Sequence, residues 1–200
     1  MSVIDTQIQN KSNKIICIAS STGGPRTLNE IIPYLDNDLN APVLVIQHMP
    51  DGFTKSLAER LNDISKIDVY EADEEMEILP GKVYIAKAGK HMKIRRRMFR
   101  HIVELTDEPL REGVKPCANY TFESLINSSY DEIICVVLTG MGTDGTEGIN
   151  KLSEKKKVSV IVQDEESSVV YGMPGSIIKS EIPCRIVSLK DIPQTLKSLV

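Results

Sequence analysis

Four stretches of almost unbroken apolar residues, Ile15–Ala19, Val43–Gln47, Ile133–Leu138 and Val158–Val162, constrain this chain more than any other feature. Each has the length of a strand and falls far short of the roughly 20 residues that a membrane helix needs. A strand with one wet face alternates apolar and polar residues, so a continuous run requires cover on both faces. Between the runs, Leu28, Ile31, Ile32 and Leu35 recur at helical spacing, as do Phe53, Leu57, Leu61 and Ile64, and near the end Ile192, Leu196 and Leu199. Each set marks one buried helix face. The alternation predicts an α/β chain with a doubly wound, mainly parallel sheet and helices on both faces. The segment Val69–Ile102 breaks it. There Pro80-Gly81 and Ala88-Gly89 separate the short runs Val83–Ala86, Met92–Arg95 and Met98–Ile102, which predicts an antiparallel hairpin insertion at one sheet edge.

Two hundred residues suit one core, so residues 14–200 are expected to form a single domain behind a polar, frayed leader at 1–13. A net charge of -4 argues against neutralising nucleic-acid phosphates, and an absence of Trp with only three Phe leaves little material for base stacking. Nucleic acid is therefore not an expected partner, nor is a membrane, because neither a spanning run nor a secretory signal is visible. The cytoplasm is the default. The four cysteines are scattered without a CxxC pair, which suggests neither a disulfide framework nor a metal site, and Cys17 and Cys135 fall in apolar runs suited to buried thiols.

Chemistry-bearing residues concentrate where strands end. Ile15–Ala19 leads into Ser20-Ser21-Thr22-Gly23-Gly24-Pro25, a strand–tight turn–helix junction that aims free N–H groups and a helix N-terminus at one point. Ser21 stands there as a candidate nucleophile, or alternatively as a helix cap. The second strand ends in Gln47-His48-Met49-Pro50, placing His48 where a general base is needed or where a structural histidine would sit. The third ends in Thr139-Gly140-Met141-Gly142-Thr143-Asp144-Gly145, whose glycines let backbone approach a substrate. Asp144 either caps the next helix or orients the His48 ring, and free N–H groups around Met141 suit an oxyanion. The chain order Ser…His…Asp and the absence of a G-x-S-x-G elbow disfavour a standard α/β-hydrolase. No dinucleotide or P-loop pattern supports a nucleotide cofactor. A noncatalytic module that binds an anion or docks a signalling partner would keep the glycines without needing all three polar residues.

Five segments taken together, Ser21–Pro25, Gln47–Pro50, Leu79–Ala86, Leu138–Gly145 and Val169–Pro174, closely resemble the catalytic domain of the CheB chemotaxis methylesterases, over about Lys14 to Leu199. The resemblance implies a serine hydrolase acting without cofactor or metal on γ-glutamyl methyl esters of chemoreceptor helices, with deamidation of receptor glutamines in many members. It carries the nucleophile onto Ser21, the base onto His48, the acid onto Asp144 and the oxyanion N–H onto Met141, with Thr22, Gly140 and Gly142 around the cleft. Ala19 replaces a common Gly. Lys115-Pro116-Cys117-Ala118-Asn119 stands where Arg-Pro-Ser-x-Asp is frequent, a departure expected to affect the substrate cleft and not the triad. The receiver domain usual in the family is not expected, because the residues ahead of the first strand are too few to hold one. The run Lys82–His101, with eight Lys and Arg and no acid, is either a solvated face or a guide for an acidic substrate.

Overall fold

The computed structural model describes residues 13–200, so the expected leader lies almost wholly outside the described residues. In chain order the strands are β1 (Lys14–Ser20), β2 (Val43–Gln47), β3 (Asp68–Glu71), β4 (Lys82–Ile85), β5 (His91–Arg97), β6 (Arg100–Thr106), β7 (Glu132–Val137), β8 (Lys157–Gln163) and β9 (Arg185–Val187). The α-helices are α1 (Gly24–Asn29), α2 (Phe53–Ile64), α3 (Ala118–Ser124), α4 (Thr146–Ser153), α5 (Gly172–Lys179) and α6 (Ile192–Leu199). Seven strands pair in parallel in the order β3-β4-β2-β1-β7-β8-β9. The four apolar runs supply the strands β2, β1, β7 and β8, and successive residues go to opposite cores. Ile15, Cys17 and Ala19 pack with Phe122 of α3, Ile149 of α4 and Ile177 of α5, whereas Ile16 and Ile18 pack with Leu28 of α1, Leu61 of α2 and Leu196 of α6. The sheet is therefore covered on both faces, as its continuous apolar strands require.

Between Val69 and Ile102 the structure is more divided than the sequence suggested. Lys82–Ile85 and Asp68–Glu71 are parallel strands of the main sheet, and only β5 and β6 form the antiparallel hairpin. Val83 pairs with Val43, forty positions away along the chain, and turn signals around a short apolar run do not reveal so distant a partner. The hairpin forms a two-stranded sheet of its own. Its Met92, Ile94 and Val103 join the core beneath α3, so it covers part of one face of the main sheet.

The hairpin runs the depth of the sheet. His91 pairs with Thr106 near the carboxyl edge, and His101 stacks on Tyr130 just ahead of the start of β7, at the amino edge. Both histidines are buried, and burial lowers both of their pKa values; neither sits on a solvated face. Most of the cations along the hairpin are matched by carboxylates from elsewhere. Arg95 and Arg97 reach Glu75 at 2.5 and 2.6 Å, Arg100 reaches Glu77, and Lys93 pairs with Glu108.

Candidate active site

β1 and β7 are adjacent and parallel, yet the helices that follow them, α1 and α4, pack on opposite faces. Their exit loops diverge there and leave a crevice at the carboxyl edge of the sheet. Ser21, His48 and Asp144 all sit on loops around this crevice, after β1, β2 and β7.

The loop after β1 is tied to its neighbours on both sides. Ser21 N–H donates to Thr139 O at 3.0 Å, the Thr139 hydroxyl donates to Thr22 O at 2.9 Å, and His48 N–H donates to Ser20 O at 3.0 Å. Gly140 lies directly against the serine, where a Cβ would stand 2.7 Å from Ser21 Cβ and 2.3 Å from Met173 Sδ, so only glycine fits. Val170 O and Met173 N–H grip Gly140 from the other side, which gives the Val169–Pro174 segment a packing role behind the crevice. The Ser21 hydroxyl itself has no hydrogen-bond partner among the described residues, and the N–H groups of Thr22 and Met141 likewise donate to none of them. Met141 itself is exposed.

His48 Nε2 and Asp144 Oδ2 are 2.7 Å apart. This bond commits Nε2 and leaves Nδ1 as the ring nitrogen free to exchange a proton. The Asp144 carboxylate is buried and accepts four bonds in all: Oδ2 also takes Ala118 N–H at 2.6 Å, while Oδ1 takes Asn119 N–H and the Cys117 thiol, both at 3.0 Å. Burial by itself would raise the carboxyl pKa. The bonds from His48, Cys117 and Ala118 outweigh it and hold the group below the usual carboxylate range.

Asp144 does act as a helix cap, though not of the helix it precedes. The N-cap of α4 is Gly145 at φ +98°, a left-handed conformation suited to glycine. Asp144 instead takes the first N–H groups of α3, and Asn119 Oδ1 returns the favour by accepting Gly145 and Gly148 N–H at the start of α4. The two helix starts are thus locked together by reciprocal side chains, which holds Asp144 rigidly toward His48.

Gln47 is a further residue that the sequence reading quoted without assigning a role. Its buried side chain donates from Nε2 to Ser21 O and His48 O, both at 2.9 Å, and accepts from the Ser20 hydroxyl at 2.7 Å. One amide therefore ties the serine loop to the histidine loop. The visible signal was a lone polar residue ending an apolar run.

Beside His48 opens a groove of about 510 Å³ lined by Met49, Asp51, Leu110, Val114 and Lys115. Between its lining residues Leu110 and Gly113, Arg111 makes a bidentate pair with Glu123 at 2.9 Å and lies over the Tyr120 ring, and Glu112 accepts from Asn119 and Thr143. Among the described residues no group of three or more His, Cys, Asp or Glu could hold a metal ion, and no helix is long and apolar enough to cross a membrane.

Residues 16–196 match the family model described as CheB methylesterase. The chain is 43% identical over 189 residues to the protein-glutamate methylesterase/protein-glutamine glutaminase of Bacillus subtilis, covering 94% of this chain and 52% of that protein. A Pyrococcus horikoshii protein of the same name is 39% identical over 185 residues, covering 92% and 50%. The chain thus spans about half the length of the curated relatives it matches. The crystal structure of the Thermotoga maritima CheB methylesterase catalytic domain superposes with a TM-score of 0.91 at 40% identity, covering 94% of this chain and 100% of that one.

Proposed function

The chain belongs to the CheB methylesterase family, and from that premise we propose that residues 14–200 form one catalytic domain that hydrolyses glutamate γ-methyl esters on the cytoplasmic helices of chemoreceptors. The observation that carries this reading is the 2.7 Å His48–Asp144 bond beside Ser21, at the crevice between the exits of β1 and β7. The noncatalytic alternative needs no such bond.

In this mechanism Asp144 holds the His48 tautomer that leaves Nδ1 unprotonated. His48 Nδ1 takes the Ser21 proton as Oγ attacks the ester carbonyl, and Asp144 stabilises the imidazolium that forms. The oxyanion is received by backbone N–H groups, with Met141 and Thr22 among the free donors at the site and Gly140 and Gly142 allowing close approach. His48 then protonates the departing methoxy oxygen, which leaves as methanol. Water, deprotonated in turn by His48, releases the glutamate carboxylate. A receptor glutamine would follow the same steps, with His48 protonating the departing amide nitrogen, which leaves as ammonia.

The test is methanol release from methylated receptor by the purified chain, together with mapping of a serine-directed covalent probe. Ser21→Ala and His48→Ala should each lower kcat on the order of 10^6-fold with the fold intact, and the probe should label Ser21. Undiminished methanol release by Ser21→Ala would overturn the reading.

A further inference from the structure

The segment Lys115–Asn119, between the groove beside His48 and the start of α3, packs against the carboxylate of Asp144. Cys117 is fully buried, and its Sγ lies 3.0 Å from Asp144 Oδ1, within reach of an S–H···O bond. Oδ1 has one other donor, Asn119 N–H, while Oδ2 is occupied by His48 and Ala118. We infer that Cys117 is a positioning residue of the hydrolytic machinery: its thiol holds the orientation of Asp144 and, as a weak donor, leaves more negative charge for His48 than a hydroxyl at the same place would.

Burial, together with the adjacent Asp144 charge, pushes the thiol far above its ordinary value. It therefore stays an S–H donor across the working pH range and adds no charge of its own. A thiol donates weakly compared with a hydroxyl. The stronger the donor on Oδ1, the less the carboxylate attracts a proton on the imidazole, so the strength of this remote bond sets how readily His48 accepts the Ser21 proton. Other groups face the pair without changing between variants. From the start of α3 come only the Ala118 and Asn119 N–H groups. Glu112 acts through Asn119 and Thr143, and Asp51 and Lys115 lie in the groove beside His48.

The inference rests on the proposed Ser21–His48–Asp144 chemistry and is tested on the full chain with Cys117→Ser and Cys117→Ala. Two readouts apply: the acid limb of the pH profile of kcat/KM for ester hydrolysis, and the NMR resonance of the imidazole proton shared with Asp144. Cys117→Ser should move the acid limb to lower pH by about half a unit and shift the proton resonance upfield. Cys117→Ala should move both in the opposite sense. KM should stay unchanged, because Cys117 does not reach the groove. Opposite signs from two small substitutions are not what mere loosening of the fold produces, and thermal melts of both variants measure any such loosening. Shifts of the same sign, or no shift in either readout, would overturn the inference. Absence of methanol release, or its persistence in Ser21→Ala, would instead overturn the hydrolytic reading, while the resonance, which needs no turnover, would still report on the Cys117–Asp144–His48 coupling.

Discussion

Replacing Asp144 by Asn exchanges four acceptor positions for a mixture of oxygen and N–H2, and the surroundings decide which way the amide faces. With its oxygen toward His48 and Ala118, the new N–H2 would confront Asn119 N–H and find only the Cys117 sulfur, a weak acceptor. Turned the other way, the oxygen satisfies those two, and the N–H2 meets Ala118 N–H and His48 Nε2. Only Ala118 N–H is then orphaned, because the imidazole can switch tautomer and accept from the amide. The second orientation should win. It leaves one buried donor unsatisfied, a cost of about 2 kcal/mol, which lowers Tm by roughly 4–8 °C in a chain of this size. It also moves the imidazole proton to Nδ1, so the ring nitrogen free of Asp144 can no longer take the Ser21 proton. kcat should fall about 10^4-fold, the scale seen when a serine protease triad is forced into the wrong tautomer. Methanol release measured beside a thermal melt reads both effects. Activity within tenfold of the parent, in protein that melts at the parent temperature, would refute both the tautomer argument and the role of Asp144.

Four further outcomes follow from the same geometry. Gln47→Met removes the amide that joins the Ser21 and His48 loops and should lower kcat by about 10- to 100-fold with little change in KM, as steady-state kinetics would show. Gly148→Ala, ordinarily favourable inside a helix, should destabilise the chain here, because the new Cβ would lie 2.8 Å from the Asn119 backbone; a urea titration checks the sign. Changing Arg95, Arg96 and Arg97 together to Glu should leave kcat/KM on receptor nearly unchanged at low salt, since two of them already pair with Glu75 and the hairpin tip points to the edge of the sheet away from Ser21; the same change should lower Tm through like-charge contacts. Stability should decline with acid in two segments, read as the urea midpoint against pH. His91 and His101 have folded values lowered from 6.5 by burial, so the unfolded chain binds protons first and stability begins to fall below about pH 6.5. Asp144, Glu123 and Glu147 have folded values below the ordinary carboxylate range, Glu147 at about 2, so their contribution is complete above about pH 4.5 and is lost as pH falls toward those folded values.

The one-dimensional pattern of the chain was enough to establish that a parallel sheet must be covered on both faces, because Ile15–Ala19 and Ile133–Leu138 offer no polar face to water. It also located Ser21, His48 and Asp144 at strand ends, since runs of apolar residues stop where Ser, His and Gly-rich turns begin. What remained hidden depended on partners far along the chain. Asp144 could be read either as the cap of the helix it precedes or as a partner of His48, and pattern alone did not show that the helix N–H groups it accepts come from α3, 25 and 26 positions earlier. Local pattern cannot select among helices that packing brings to the same point. Val83 read like a hairpin strand, whereas it pairs in parallel with Val43, and the cationic run, legible as a solvated face or as a guide for an acidic substrate, showed nothing of Glu75, Glu77 and Glu108 lying against it. Cys117 and Gln47 acquired meaning only through the atoms they touch. Helix and strand formation answer to periodicity within ten or so residues, whereas charge pairing, hydrogen-bond partners and strand neighbours are set by strand order, which sequence-distant contacts decide.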